Sequence, residues 1–490
     1  MREIQVYNTL GHVKQPFEAL HAPRVGMYVC GPTVYGHPHL GHAKSYVSFD
    51  VILRWLRRSG YHVTYIQNIT DVGHLTDDQA GMADEGEDKV AAEARRKRIH
   101  PMALAEFFTA SYFEDMDAMG LARPDVSPRA SGHIPEQIEM VEGLLEKGHA
   151  YNVDGNVYFD VSSFPTYGAL SGRNVEDLAA GARVEVREEK RHPADFAIWK
   201  KAAAEHIMQW SSPWGRGYPG WHLECSVMSR KYLSDTLDIH GGGIENQFPH
   251  HECEIAQSEA VTGKPFVRYW LHNNMVTVDG QKMGKSLGNF ITLKHLFSGD
   301  HERISRAYEP QAVRMFVLTS HYRSPLDFSD SALQAARSGY EKLSAAVIAV
   351  RESLAGAPEG EPTPEIRRAV EQVRTKFTDA MNDDFNTAAG LAQVFELTGK
   401  VALATTRGDF QLMDETFRDL GGRGLGLVQE EYPTRSGGRE AELIDLLIDL
   451  RRRARQTKDF TTSDAIRDRL KAIGFQLEDT PEATTWRRMS

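Results

Sequence analysis

Two histidines and two lysines carry the first chemistry legible in the chain. His39 and His42 fall in PTVYGHPHLGHAK (32–44), between an apolar run and an amphipathic one. At a helix entrance, unpaired backbone N–H groups and the helix dipole attract anions. Two imidazoles there can donate to phosphate oxygens, and Gly41 lets a ligand approach the backbone. Far downstream, GQKMGKSLGN (280–289) sets Lys282 and Lys285 among glycines, a composition suited to a loop that closes over polyphosphate. Taken singly, neither segment is distinctive, because turn histidines commonly face solvent and lysine-rich surface loops are common.

A second set suggests a metal. Cys30 ends the apolar run, Cys225 lies in PGWHLECS (219–226), and His250 and Glu254 lie in FPHHECEIAQ (248–257). Residues four apart share one face of a helix. Two thiolates, one imidazole and one carboxylate make a tetrahedral zinc set of S₂NO type. Spacing alone leaves open two buried cysteines beside a structural histidine, since Cys30 is remote from Cys225 in sequence. The role of Cys253 stays open.

Certain elements must position these groups. VGMYVC (25–30) reads as a buried strand, about 41–58 as an amphipathic helix, and HVTYIQN (62–68) as a second strand. That order is a βαβ unit opening a parallel sheet, which binds ligands where strand C-termini meet helix N-termini. No GxGxxG follows the first strand, so dinucleotide binding loses its main support. The acidic stretch 77–88 reads as a solvated loop. From 121 to 215 the pattern is mixed, with a helix over 135–147 and strands at 156–161 and 183–188, an insertion into the sheet domain. Leu333, Ala336, Tyr340, Leu343, Val347, Val350 and Leu354 then form one helical stripe behind the N-cap candidate Ser329. A second helix starts near Ile366, with Val370, Val373, Phe377 and Met381, and a third follows Asn386, with Leu391, Val394 and Leu397. Together they predict a helical bundle. Gly421–Gly438 reads as a linker. The fold class is α/β, with a Rossmann-like catalytic domain in two halves (1–120 and 216–325), the insertion 121–215, the bundle 326–425 and a small domain 431–490.

Composition bounds the function. The 490 residues have 41% hydrophobic and 26% charged content, ordinary for a globular protein. No stretch approaches the ~20 apolar residues that span a bilayer, and the N-terminus lacks a secretion pattern. Three cysteines make no disulfide framework, which fits a reducing, cytoplasmic setting. A net charge of −11 argues against a protein that simply coats nucleic acid but leaves room for a local RNA site. Residues 431–490 differ, with 12 Lys/Arg against 11 Asp/Glu and a basic run at Arg451, Arg452, Arg453, Arg455 and Lys458.

In this order and spacing, HLGH and KMGKS resemble the HIGH and KMSKS signatures of class I aminoacyl-tRNA synthetases, with Leu40 replacing Ile and Gly284 replacing the first Ser. MYVCGPTVY, PGWHLECS, DIHGGG and FPHHECEIAQ are similar to the segments that distinguish cysteinyl-tRNA synthetases. The resemblance implies activation of L-cysteine by ATP with Mg²⁺, then transfer to the 3′-terminal ribose of tRNA(Cys). His39 and His42 would stabilise the transferring phosphoryl group, and Lys282 and Lys285 would hold the β- and γ-phosphates. Cys30, Cys225, His250 and Glu254 would hold one Zn²⁺ per chain, binding the substrate thiolate. Thr70, Trp221, His222 and His240 would line the cysteine pocket. The bundle would contact the tRNA stem, and Arg455, Phe460 and Asp464 would read the anticodon. A monomer without a membrane partner is expected. Two alternatives remain: a related ligase joining cysteine to an amino sugar, which would lack the C-terminal domain, and a non-enzymatic RNA-binding paralogue, which should have lost a signature or zinc residue.

Overall fold

The computed structural model describes residues 3–72, 88–173, 189–204, 206–220, 222–284, 287–432, 439–479 and 484–488. The chain forms two units, Met1–Val428 and Gln429–Ser490.

The first unit is organised by a four-stranded parallel sheet. Its elements are strand β1 (Arg24–Val29), helix α1 (Leu40–Arg58), β2 (His62–Gln67), α2 (Leu223–Tyr232), β3 (Leu237–Gly243), α3 (Glu252–Thr262) and β4 (Val267–Asn273). The strand order is β4–β3–β1–β2. All seven residues of β3 are buried, as expected for a sheet covered on both faces. Winding runs outward from β1 to β2 and from β3 to β4 in opposite directions. The switch point therefore lies between the C-terminal ends of β1 and β3, where the Cys30 N–H donates to the Gly241 carbonyl at 2.9 Å. Close packing there demands glycine: a Cβ on Gly31 would lie 1.5 Å from the Asn68 carbonyl oxygen, and one on Gly241 would lie 2.2 Å from the Phe49 ring of α1.

Helix α1 buries Ala43, Tyr46, Val47, Phe49, Val51 and Leu53 among others, carries Arg57 and Arg58 in its last turn, and stops before Gly60 at φ +95°. A buried ion pair anchors it. Arg314, 0% exposed, pairs with Asp50, 2% exposed, and also donates to the Leu425 carbonyl at 2.8 Å. Burial pushes the Asp50 carboxyl up, but Arg314 and Arg54 together bring it below its ordinary range.

Between β2 and α2 come the helices Lys89–Lys97, Pro101–Ala118 and Ile134–Glu146, then an antiparallel five-stranded sheet running from Ala150 to Pro219. Residues 183–188, expected as a strand, and 77–87, expected as a loop, lie outside the described residues.

The bundle comprises Asp330–Gly356, Pro364–Asn382, Thr387–Thr398 and a further helix, Arg407–Thr416, whose N-terminus is held by a Thr406–Asp409 capping box. Ser329 caps the first, accepting from the Ala332 N–H. Its stripe is buried except at Tyr340 and Leu354, which are half-buried. The linker expected over 421–438 begins too early. Leu425 and Leu427 are fully buried, and a Cβ on Gly421 would lie 2.5 Å from Val428. These glycines serve close packing, a role that composition does not separate from flexibility.

The second unit holds two helices, Arg439–Gln456 and Phe460–Ala472, and an antiparallel hairpin, Phe475–Asp479 with Thr484–Arg488. Ile444, Leu470 and Phe475 form its core, and Arg451 clamps Asp479 through two bonds of 2.8 Å. Among the described residues, no helix is long and apolar enough to cross a membrane.

Candidate active site

At the switch point the four expected donors converge. Cys30, Cys225, His250 and Glu254 are all buried, and one ligand atom from each lies within 4.8 Å of the others. Cys30 Sγ is 3.8 Å from Cys225 Sγ, and His250 Nε2 is 3.1 Å from Glu254 Oε1. Strand β1 delivers Cys30, helix α2 delivers Cys225 and α3 delivers Glu254. His250 sits in the turn just before α3, still facing Glu254 from four residues away.

Burial dominates the electrostatics. It pushes the Cys30 thiol up to about 12, raises Cys225 well above a free thiol, and raises Glu254 against the pull of His240. Three acidic groups in one dry cluster are costly to ionise together, and a bound cation reverses that preference by stabilising thiolate and carboxylate. The donor set therefore fits a metal ion, two soft sulfurs with one imidazole and one carboxylate favouring zinc over harder ions.

Around the donors stands a wall of imidazoles. His240 Nε2 meets Glu254 Oε2 at 2.8 Å and its ring stacks on Trp270 at 4.5 Å. His222, held at φ +93°, places Nδ1 2.7 Å from His250 Nδ1. Outer partners of this kind orient ligands. Thr70 accepts from Asn68 Nδ2 at 2.9 Å, while Asn68 Oδ1 accepts from the Gly31 N–H at 2.8 Å. Trp221 lies outside the described residues.

The sequence reading missed His251. Its Nε2 lies 3.2 Å from Cys30 Sγ, and its Nδ1 meets His272 Nε2 at 2.8 Å, itself backed by Thr9. Cys30, His240, His251 and Glu254 form a second buried group able to hold an ion. The doubled His-His before Glu252 was the available signal. Glu224 was missed too; burial lifts its carboxyl to about 8.

The two signature histidines begin α1 as a reciprocal cap. The Gly41 N–H donates to His39 Nδ1 and the His39 N–H donates to His42 Nδ1, each at 3.1 Å. Nδ1 must be unprotonated to accept, which leaves Nε2–H as the donor on both neutral rings. The rings stack at 3.8 Å, and burial lowers His42 to about 4, keeping it neutral.

The lysine segment folds beside them. Strands Val276–Val278 and Gln281–Lys282 form a hairpin whose turn residues, Asp279 and Gly280, both have positive φ. Lys282 is exposed. A Cβ on Gly41 would come 3.9 Å from Met283, and the Leu40 N–H donates to the Ile291 carbonyl at 3.1 Å. Asn289, 2% exposed, accepts from the Gly284 N–H at 2.8 Å and donates to the Lys282 carbonyl at 3.0 Å. Lys285 lies outside the described residues.

In the second unit, Phe460 is 59% exposed, Arg455 lies 3.4 Å from Asp479 and Asp464 pairs with Arg467 at 3.1 Å.

The profile of tRNA synthetases class I (C) catalytic domain matches residues 16–338, and that of the DALR domain matches 376–429. A cysteine–tRNA ligase of Chlorobaculum tepidum is 52% identical over 502 residues, covering 99% of each chain. One from Thermus thermophilus is 49% identical, covering 98% of each. The solved structure of Mycobacterium tuberculosis methionyl-tRNA synthetase with methionyl-adenylate shares the fold at a TM-score of 0.57 and 14% identity, covering 87% of this chain and 94% of that one. Identities of 52% and 49% to the two ligases over almost the full length show that the chain belongs to the cysteine–tRNA ligases, ATP-dependent enzymes with a class I catalytic domain.

Proposed function

We propose that the chain recognises cysteine through a zinc ion held by Cys30, Cys225, His250 and Glu254, and activates it beneath the His39–His42 pair. The observation that carries this reading is the convergence of four buried donors at the sheet's switch point, one residue before the loop that leads to the signature. Bound there, zinc supplies a Lewis-acidic position that favours a thiolate over a hydroxyl.

The chain's own groups account for the phosphate chemistry. The cysteine carboxylate attacks the α-phosphorus of ATP in line, the bond to the β-phosphate oxygen breaks, and pyrophosphate leaves with that electron pair. Charge gathers on the α-phosphoryl oxygens, where the Nε2–H groups of His39 and His42 donate. Lys282 and Lys285 hold the β- and γ-phosphates, sharing their charge with the Mg²⁺ that accompanies ATP. A terminal ribose hydroxyl of the tRNA then attacks the mixed anhydride's carbonyl carbon and releases AMP.

The second buried group favours a competing ligand set, with His240 and His251 replacing Cys225 and His250. Metal content of purified variants separates the two. Cys225→Ala is expected to drop zinc from near one per chain to a small fraction, whereas His251→Ala retains it. The opposite pattern would reject the proposed set.

The second unit is assigned to the anticodon, with Phe460 as a stacking surface and Arg455 and Asp464 at base edges. Phe460→Ala is expected to weaken tRNA charging about tenfold while leaving cysteine-dependent exchange of pyrophosphate into ATP unchanged. Equal loss in both assays would assign the residue a different role.

A further inference from the structure

With the thiol at the metal set and the carboxylate at the His39 loop, the α-ammonium of cysteine must lie between them. The residues that bridge this interval can be traced through their hydrogen bonds. Asn68 Oδ1 lies 3.7 Å from Cys225 Sγ and accepts from the Gly31 N–H at 2.8 Å. Asn68 Nδ2 donates to Thr70 Oγ1 at 2.9 Å. The Thr70 N–H donates to the Pro32 carbonyl at 3.1 Å, and the Thr70 carbonyl accepts from the Val34 N–H at 3.2 Å. Thr70 is thus fastened to the loop that runs from Cys30 towards His39.

Glu224 meets Thr70 from α2. It is 2% exposed and immediately precedes the donor Cys225. The Thr70 hydroxyl hydrogen-bonds to its carboxyl, as do the backbone N–H groups of Glu224 itself and of His222. These contacts leave Oε1 buried without a hydrogen-bond partner. The carboxyl acts electrostatically on both Cys30 and Cys225, so it lies on the donors' side of α2. It nevertheless belongs to neither of the groups able to hold an ion among the described residues.

A buried acceptor atom without a partner is uncommon, and the partner that best offsets a buried carboxylate is a hydrogen-bonding cation. We infer that Glu224, with Thr70 beside it, receives the α-ammonium of the cysteine substrate and so orients the amino acid between the metal set and ATP. That assignment rests on the thiol binding the metal, which the same measurements test separately.

The compound 3-mercaptopropionate is cysteine without its amine. It should inhibit cysteine-dependent exchange of pyrophosphate into ATP in wild type, binding about 10–100-fold more weakly than cysteine, the range for one lost charge-assisted bond. Glu224→Gln keeps the shape of the side chain and should raise the KM for cysteine by a similar factor. The inhibition constant of 3-mercaptopropionate, the KM for ATP and the zinc content should stay as in wild type. Glu224→Asp, with the charge on a shorter arm, should recover part of the loss. An unchanged KM for cysteine in Glu224→Gln would overturn the inference. So would an equal loss of cysteine and 3-mercaptopropionate, which would give the carboxyl a structural role alone. Equal inhibition by 3-mercaptopropionate of zinc-loaded and metal-stripped wild type would instead overturn the metal reading, leaving the comparison at Glu224 intact.

Discussion

Stripped of its metal by a chelator, the protein is expected to lose its preference for cysteine over serine by about two orders of magnitude or more, with serine-dependent exchange little changed. A site built around one specific polar contact can discriminate by about 10⁴–10⁵, and under the proposed function the metal would provide that contact. Without it, burial holds the Cys30 thiol near 12 and Cys225 high as well, so both are protonated at neutral pH. The pocket floor then offers weak S–H donors and imidazole nitrogens, which bind an alcohol about as well as a thiol. Exchange supported by each amino acid, measured in loaded, stripped and zinc-restored protein, tests this. Hydrogen exchange over β1 and β3 controls for unfolding, and Glu254→Gln should reproduce the stripped behaviour. Retained selectivity in metal-free protein that is still folded would refute thiolate recognition by the metal.

The sequence disclosed this site unevenly. His250 and Glu254 were legible because four-residue spacing is a local property of the chain. Cys30 and Cys225 are brought together by the β3–β1 pairing, a non-local fact that no spacing rule contains. Resemblance supplied that link, and the donor distances agree with it. His251 was overlooked because adjacent residues in a regular helix diverge by about 100°, which makes a second ligand-capable histidine look redundant. The chain there runs through a turn with non-helical backbone at Phe248 before α3 begins, and both rings reach the cluster.

Elements were recoverable wherever local rules governed them. The βαβ opening, the Ser329 cap and the three stripes followed from periodicity and capping chemistry. Residues 421–428 did not, because a glycine chosen for close approach and one chosen for flexibility look alike in composition. Asn289 was equally silent: its importance lies in two backbone bonds that exist only once the hairpin has formed.

Replacing Lys285 by Ala is expected to lower cysteine-dependent exchange about 10²–10³-fold, the loss typical when one donor to a developing charge is removed. Folding should be unaffected, since the described flanks of Lys285 are secured by bonds of their own. Those flanks also set the scale for a second variant. Asn289 fastens the Lys282 carbonyl and the Gly284 N–H, so Asn289→Ala frees the backbone on the near side of Lys285 without removing any charge. Its effect should be smaller, about tenfold, and expressed mainly as a higher KM for ATP, because a loosened loop spends less time in the closed geometry. Asn289→Asp keeps an acceptor for the Gly284 N–H and should recover part of the loss. The same contact bears on Gly284, which lacks the hydroxyl of the family signature: the Asn289 bond holds its backbone whatever the side chain. Single-turnover adenylate formation at saturating ATP distinguishes the roles, with Lys285→Ala remaining slow and Asn289→Ala approaching the wild-type rate. If Lys285→Ala proved nearly as fast as wild type under those conditions, its assignment to the β- and γ-phosphates would be wrong.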